Sequence, residues 1–190
     1  MTAARPAAGL LDRRRAALVV VDIQEKLLPA IFEKQRVLAN TLLLMRAAAI
    51  LEVPIVVTSQ YRKGLGDVIA EVKAAAPEVP VLDKATFGCF GDDGFLAHLA
   101  GLGSRDQLVV TGIESHICVT QTTLGALTRG YTVHVAADAV SSRSEANWRT
   151  GLSRMERAGA VISSSEMALY ELLGRSDGAE FKRILPLLKG

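Results

Sequence analysis

Cysteine is scarce in this chain. There are two in 190 residues, Cys89 and Cys118. Two thiols cannot staple a domain of this length, so a disulfide scaffold is excluded and a reducing cytoplasm is the expected setting. Aromatic residues are few as well, at 5%. Neither sign of charge dominates: 22 Lys and Arg against 20 Asp and Glu leave +2, which argues against a nucleic-acid partner. No apolar run approaches the ~20 residues of a membrane span, so no membrane partner is expected. The opening stretch MTAARPAAGLLDRRR lacks the basic-then-apolar order of a secretion signal, and its arginines leave a transit peptide as the alternative. No Gly-x-Gly-x-x-Gly follows the first apolar run. Asp22-Ile23-Gln24-Glu25-Lys26-Leu27 stands there instead, which disfavours a nucleotide-binding doubly wound domain. The three histidines, His98, His116 and His134, lack metal-ligand spacing.

What is present is apolar. Hydrophobic residues make up 49%, enough for one well-cored domain over residues 1–190, and no linker, repeat or low-complexity tract divides it. The run AALVVVDI (16–23) reads as a strand buried on both faces. Further strands are expected at 54–60, 79–84, 107–112, 131–138 and 160–163. Helices are expected between them at 36–52, 67–76, 93–103 and 116–129, then after Ser142 and after Ser163, each serine with a Glu three residues on as a capping box. The segment 180–188 reads as a last short helix. The basic run Arg13-Arg14-Arg15 reads as a solvated strand entry in preference to a phosphate patch.

Regular alternation of this kind specifies an α/β fold: a three-layer, doubly wound sandwich with a six-stranded, mostly parallel sheet and helices on both faces. In such folds reactive groups collect beyond the carboxyl ends of the strands. That rule selects Asp22, Ser59-Gln60-Tyr61, Lys84, Cys118 and Asp138. Cys118 is expected in the first turn of a helix, where free N–H groups and the Lys84 cation would lower a thiol pKa. Asp22 can take the thiol proton and return it to a leaving group. The bland alternative is a small buried hydrophobe at 118, a loop cap at 22 and a surface lysine at 84.

Four stretches taken in order carry a resemblance: LVVVDIQEKLL, VPIVVTSQYRKGLG, LDKATFGCF and VVTGIESHICVTQTTLGALTRGYTVHVAADAVSSRS. They resemble the isochorismatase-like cysteine hydrolase superfamily over about residues 16–175. SQYRKGLG and ESHICV resemble the isochorismatase-domain-containing proteins and similar bacterial hydrolases of undefined substrate. The resemblance implies a catalytic Asp22–Lys84–Cys118 triad. It also implies a cis peptide between Ile113 and Glu114, with the N–H groups of Glu114 and Cys118 as an oxyanion hole, and a homo-oligomer.

The metal-binding aspartate and histidines of related nicotinamidases are missing from TSQYRKG, so neither a metal nor another cofactor is expected. Gln24, Tyr61, Phe87, Phe90 and His116 are candidates for contacting a small-molecule substrate, with packing as the equal alternative for the aromatic residues. Asp138 and Arg143 are expected to hold a loop or an oligomer contact, and Cys89 to be structural, with no cation nearby. The function implied is hydrolysis of a small amide-like substrate through a covalent cysteine intermediate. Two alternatives stay open: an isochorismatase-type ether hydrolase with an idle cysteine, and a nonenzymatic binding or scaffold protein.

Overall fold

A computed structural model describes residues 9–188. The leader reading of residues 1–15 therefore falls largely on residues outside the described ones. The first strand, β1 (Ala16–Val21), is buried along its whole length. Its side chains divide by alternation, as the two-residue period of a strand requires. Ala16, Leu18 and Val20 enter one core, and Ala17, Val19 and Val21 enter the other. Burial on both faces explains why the run is apolar without a break.

The chain continues through α1 (Lys34–Leu51), β2 (Ile55–Gln60), a short α2 (Arg62–Leu65), α3 (Ala70–Ala75) and β3 (Val81–Lys84). It then crosses back through α4 (Asp93–Gly101) to β4 (Gln107–Ile113). After α5 (Thr120–Leu127) come β5 (Thr132–Ser141), α6 (Glu145–Ala158), β6 (Val161–Ser163), α7 (Ser165–Leu173) and α8 (Ala179–Ile184). The sheet order is β3-β2-β1-β4-β5-β6, and all five pairings are parallel. The expected "mostly parallel" sheet is thus wholly parallel. One isolated antiparallel bridge, Gln24 to Val68, lies outside it. One core packs α1, α3, α7 and α8 against the sheet, and the other packs α4, α5 and α6. These are the three layers.

Several expected elements shift. The helix expected over 67–76 is shortened to α3, and an unexpected short helix, α2, precedes it; Gly66 at φ +84° separates the two, and the chain there is pinned to the loop after β1 through Glu25 N to Asp67 O at 3.0 Å. The fifth strand runs on to Ser141, because β4 carries a register shift and then pairs Gly112 with Val140 and Ile113 with Ser141. α6 begins at Glu145, where its sequence places it, but Ser144, not Ser142, caps the helix by accepting from Asn147 N. By the same logic Ser163 ends β6, and Ser164 caps α7 by accepting from Met167 N. The helix expected over 116–129 begins with a π-helical turn, Ser115–Val119, before α5.

Two glycines let the layers meet. Gly112 takes φ +108°, and a Cβ there would sit 2.0 Å from Val21 O. Gly151 of α6 lies against the turn after β4, where a Cβ would meet Ser115 C and O at 2.9 Å. Replacing Gly112 by Ala should destabilise the fold by ~3 kcal/mol or more, since backbone and not a flexible side chain blocks the space. Gly101→Ala is the control, with nothing within 4 Å of the new Cβ. Urea midpoints check this, and equal midpoints for the two variants would show that the β1–β4 approach tolerates a side chain.

Candidate active site

β2 and β3 lie to one side of β1, and β4 to β6 lie to the other. The order reverses between β1 and β4, and in doubly wound sheets the reactive groups gather beyond the carboxyl ends at such a point. Asp22 follows β1 directly, in the left-handed region at φ +53° and fully buried. Lys84 is the last residue of β3 and is only 3% exposed. Its Nζ reaches across β2 to Asp22 Oδ2 at 2.7 Å. It also donates to Gln60 Oε1 at 3.0 Å and to the Thr86 and Phe87 carbonyls at 3.3 and 3.1 Å. Four oxygens therefore share the three N–H groups of an ammonium. On the other side of the carboxylate, Thr58 of β2 donates its hydroxyl to Asp22 Oδ1 at 2.8 Å. The carboxyl-end rule had selected Gln60 without a role, and Thr58 was missed. Its only available signal was a polar residue inside a strand buried on both faces.

Cys118 sits in the π-helical turn, 6% exposed. The Ile113–Glu114 peptide that leads into this turn is cis. The N–H groups of Ile117 and Val119 both donate to Glu114 O, at 3.0 and 3.2 Å, and Thr120 Oγ1 donates to Ser115 O at 2.5 Å. The buried Glu114 carboxylate accepts from Arg143 Nη2 at 2.7 Å and from the Arg143 backbone N–H at 2.9 Å. Burial pushes the Glu114 pKa up, but these Arg143 bonds outweigh it and hold the carboxyl below its ordinary value. Arg143 thus anchors the turn that carries Cys118, a sharper form of the expected loop role. Asp138 likewise holds a loop, accepting from Ser165 N and Oγ.

The thiol itself corrects an expectation. Burial pushes the Cys118 pKa well up, the Asp22 charge and its hydrogen-bonding reach push the same way, and Lys84 only partly opposes them. The lysine charge is already matched by Asp22. The resting group is therefore a thiol beside a carboxylate, not a preformed thiolate. Cys89 is corrected too. It is fully buried behind the site, with Sγ 3.9 Å from Thr58 Oγ1, and both Lys84 and Asp22 act on it. Burial pushes its pKa up to about 11.

The candidate contact residues separate into two groups. Tyr61 and Phe87 are 57% and 54% exposed and follow β2 and β3 at the same edge. His116 is half-buried, with Nδ1 2.9 Å from Ser142 Oγ, which explains why that serine is not the cap. Gln24 is no pocket wall: its Oε1 accepts from Gln60 N, and its Nε2 donates to Gln60 O and Gly66 O, which uses all its donors. Phe90 is core, edge-on to Phe95 at 5.2 Å and beneath the Arg129 guanidinium. Among the described residues no group of three or more His, Cys, Asp or Glu side chains is placed to hold a metal ion. No helix among them is long and apolar enough to cross a membrane.

A doubly wound, wholly parallel three-layer sandwich with Asp22, Lys84 and Cys118 at its switch point places the chain in a class, the isochorismatase-like fold. The comparisons agree. Residues 16–167 match the isochorismatase domain model, and the chain belongs to that family. The secreted isochorismatase effector Isc1 of Phytophthora sojae is 36% identical over 95% of this chain and 88% of its own. The structure of MAR1 ribonuclease from Caenorhabditis elegans is 36% identical, covers 96% of this chain and 93% of its own, and superposes with a TM-score of 0.89. YcaC from Pseudomonas aeruginosa, solved with hexane-2,5-diol and covalent acrylamide, is 27% identical over 94% of this chain and 91% of its own, with a TM-score of 0.87. Its Escherichia coli counterpart, 26% identical over 94% and 90% with the same TM-score, is described as an octameric hydrolase of unknown specificity.

Two expectations follow from the geometry. Alkylation of Cys118 by iodoacetamide should climb about tenfold per pH unit from pH ~7 to ~9, because the raised pKa leaves only a trace of thiolate at neutrality. Mass mapping should find Cys118 modified ahead of the fully buried Cys89, and a rate plateau below pH ~8 would reveal a preformed thiolate instead. Separately, Lys84→Met should cost roughly 3–5 kcal/mol by stranding the buried Asp22 carboxylate. The Asp22→Asn/Lys84→Met pair should recover part of that loss. A double-mutant cycle in urea measures the coupling, and additive losses would mean that the two groups do not act together.

Proposed function

We propose that this protein is a cysteine hydrolase that cleaves a C–N bond of a small amide-like substrate through a covalent intermediate on Cys118. The observation that carries the reading is a single carboxylate, Asp22, fixed by Lys84 and Thr58 within reach of the Cys118 thiol. Fold alone does not assign a reaction. A buried acid with both oxygens oriented beside a thiol is what proton transfer during thiol attack needs.

The steps balance as follows. Cys118 Sγ forms a bond to the substrate carbonyl carbon as its proton passes to Asp22. The N–H groups of Glu114 and Cys118 hold the oxyanion. The C–N bond breaks, and the leaving nitrogen takes the proton from Asp22, which leaves a thioester. Water then gives a proton to Asp22 and its oxygen to the carbonyl carbon. The C–S bond breaks, and the proton returns to sulfur. Lys84 orients Asp22 throughout and steadies negative charge developing on sulfur. Because the resting thiol is protonated, transfer to Asp22 accompanies attack and does not precede it.

Tyr61, Phe87 and His116 are the groups assigned to the small-molecule substrate. A 27%-identical relative that carries covalent acrylamide supports a reactive nucleophile on this fold; acrylamide takes up a thiol at its vinyl carbon, so the adduct speaks for nucleophilicity and not for C–N cleavage. An octameric relative supports a homo-oligomer. Two free thiols suit a reducing, cytoplasmic setting.

The decisive experiment is a panel of small amides and carbamates assayed with the native protein and with Cys118→Ala. At least one compound should turn over, the substitution should lower its rate by about 10³-fold or more, and rapid quenching should show an acyl adduct on residue 118. Turnover that survives Cys118→Ala without an adduct would favour the ether hydrolase with an idle cysteine.

A further inference from the structure

The amino-terminal edge of the sheet, opposite the candidate active site, carries a second concave site. Arg13 and Arg14 precede β1, Arg105 precedes β4, Glu52 follows α1, and Glu180 and Arg183 belong to α8. These residues line a cavity of about 420 Å³, with Ile50 and Leu51 as an aliphatic part of its wall. Its size falls within the ~300–1,000 Å³ of small-molecule sites. Six residues of β1 separate it from Asp22, roughly 20 Å at the rise of a strand.

The charges at this cavity are unevenly matched. Arg13 Nη1 meets Glu180 Oε1 at 3.2 Å, and Arg14 is held by both oxygens of Asp12. Arg105 has no carboxylate partner among the described residues. Its Nη1 donates to the carbonyls of Arg13 and Ala16, at 2.7 and 3.3 Å, which fixes the guanidinium in place. Arg183 makes no ion pair among the described residues and acts on Glu180 only at longer range. Two forked cations without ion pairs among the described residues therefore share the cavity with one carboxylate that also makes none, Glu52, and the four arginines and two glutamates of the lining leave an excess of positive charge. Guanidinium groups bind phosphate through paired N–H bonds that a lysine cannot match. The basic run reads differently in this setting. Arg15 is the solvated member, paired with Asp106, while Arg13 and Arg14 turn to the cavity.

We propose that this cavity binds a small molecule bearing a diphosphate group, held chiefly by Arg105 and Arg183. Such a ligand presents enough oxygens for both guanidinium forks at once. The site ties β1, β4 and α8 together from the end of the sheet remote from Cys118, so its occupancy stabilises the fold without touching the reacting atoms.

The test uses the whole protein, with sodium pyrophosphate and ADP as separate probes in calorimetry and thermal melting at constant ionic strength. Saturable binding is expected below ~1 mM, with a rise in Tm. Arg183→Glu should weaken it at least about tenfold, and Arg183→Lys should weaken it less, because charge is kept and the fork is lost. The rate of Cys118 alkylation should not change in either variant. ADP binding at least as tight as pyrophosphate identifies a nucleotide as the ligand, whereas pyrophosphate alone identifies the free anion. No saturable binding of either probe at ~10 mM, or binding that Arg183→Glu leaves intact, overturns the proposal. Arg183 lies on an exposed stretch of α8, so both variants are expected to fold, and an unchanged melting temperature without ligand checks it.

Discussion

The contact on which the rest depends is the buried ion pair between Asp22 and Lys84. Two charges with almost no exposure to water are costly unless each is fully hydrogen-bonded. The chain meets that demand from the ends of three strands. Thr58 and Gln60 of β2 lie between the partners, and the loop after β3 turns its carbonyls onto the ammonium. The pair therefore holds the ends of β1, β2 and β3 in one arrangement. It also presents a carboxylate of known orientation to whatever β4 brings up beside it.

What β4 brings up is a thiol, and the approach depends on space. Gly112 lets β4 come against Val21, and Gly151 lets α6 come against the turn that carries Cys118. Arg143, at the entrance to α6, then fastens that turn through Glu114. The same closeness that assembles the site dries it, and drying raises the thiol pKa. Lys84 lowers the Cys118 pKa only in part, because its charge is already matched by Asp22. In the proposed reaction the acid is the working partner, and the lysine acts largely through it.

The two edges of a parallel sheet are unlike by construction. The carboxyl edge gathers the strand-to-helix turns at the switch point, and the amino edge gathers the entries to the strands. Here the entries carry arginine, and α8 adds one more from the far end of the chain. One edge faces reacting bonds, and the other faces charge. The strands between them are apolar and saturated, with two cores on either side to keep them rigid.

Much of this was legible in the linear order of residues. The unbroken Val-rich run of β1 declared a strand covered on both faces, and strict alternation of elements declared a parallel sheet. The carboxyl-end rule then selected Asp22, Lys84 and Cys118, because strand direction alone places strand ends at one edge. The same order misplaced both helix caps: β5 runs on to Ser141 after a register shift at Val110–Gly112, β6 takes in Ser163, and no local pattern records how far two strands pair. It offered Gln24 and Phe90 as pocket walls, although a polar or aromatic residue near a site is as easily turned into the structure. It set Cys89 aside, although the fold tucks that thiol behind Thr58. Sequence determined which groups arrive at the edge, since periodicity and direction are properties of neighbours along the chain. Tertiary structure alone decided which groups touch, how a charge is shared and where a pKa moves, because those depend on distances between residues far apart in sequence and on the water that packing excludes.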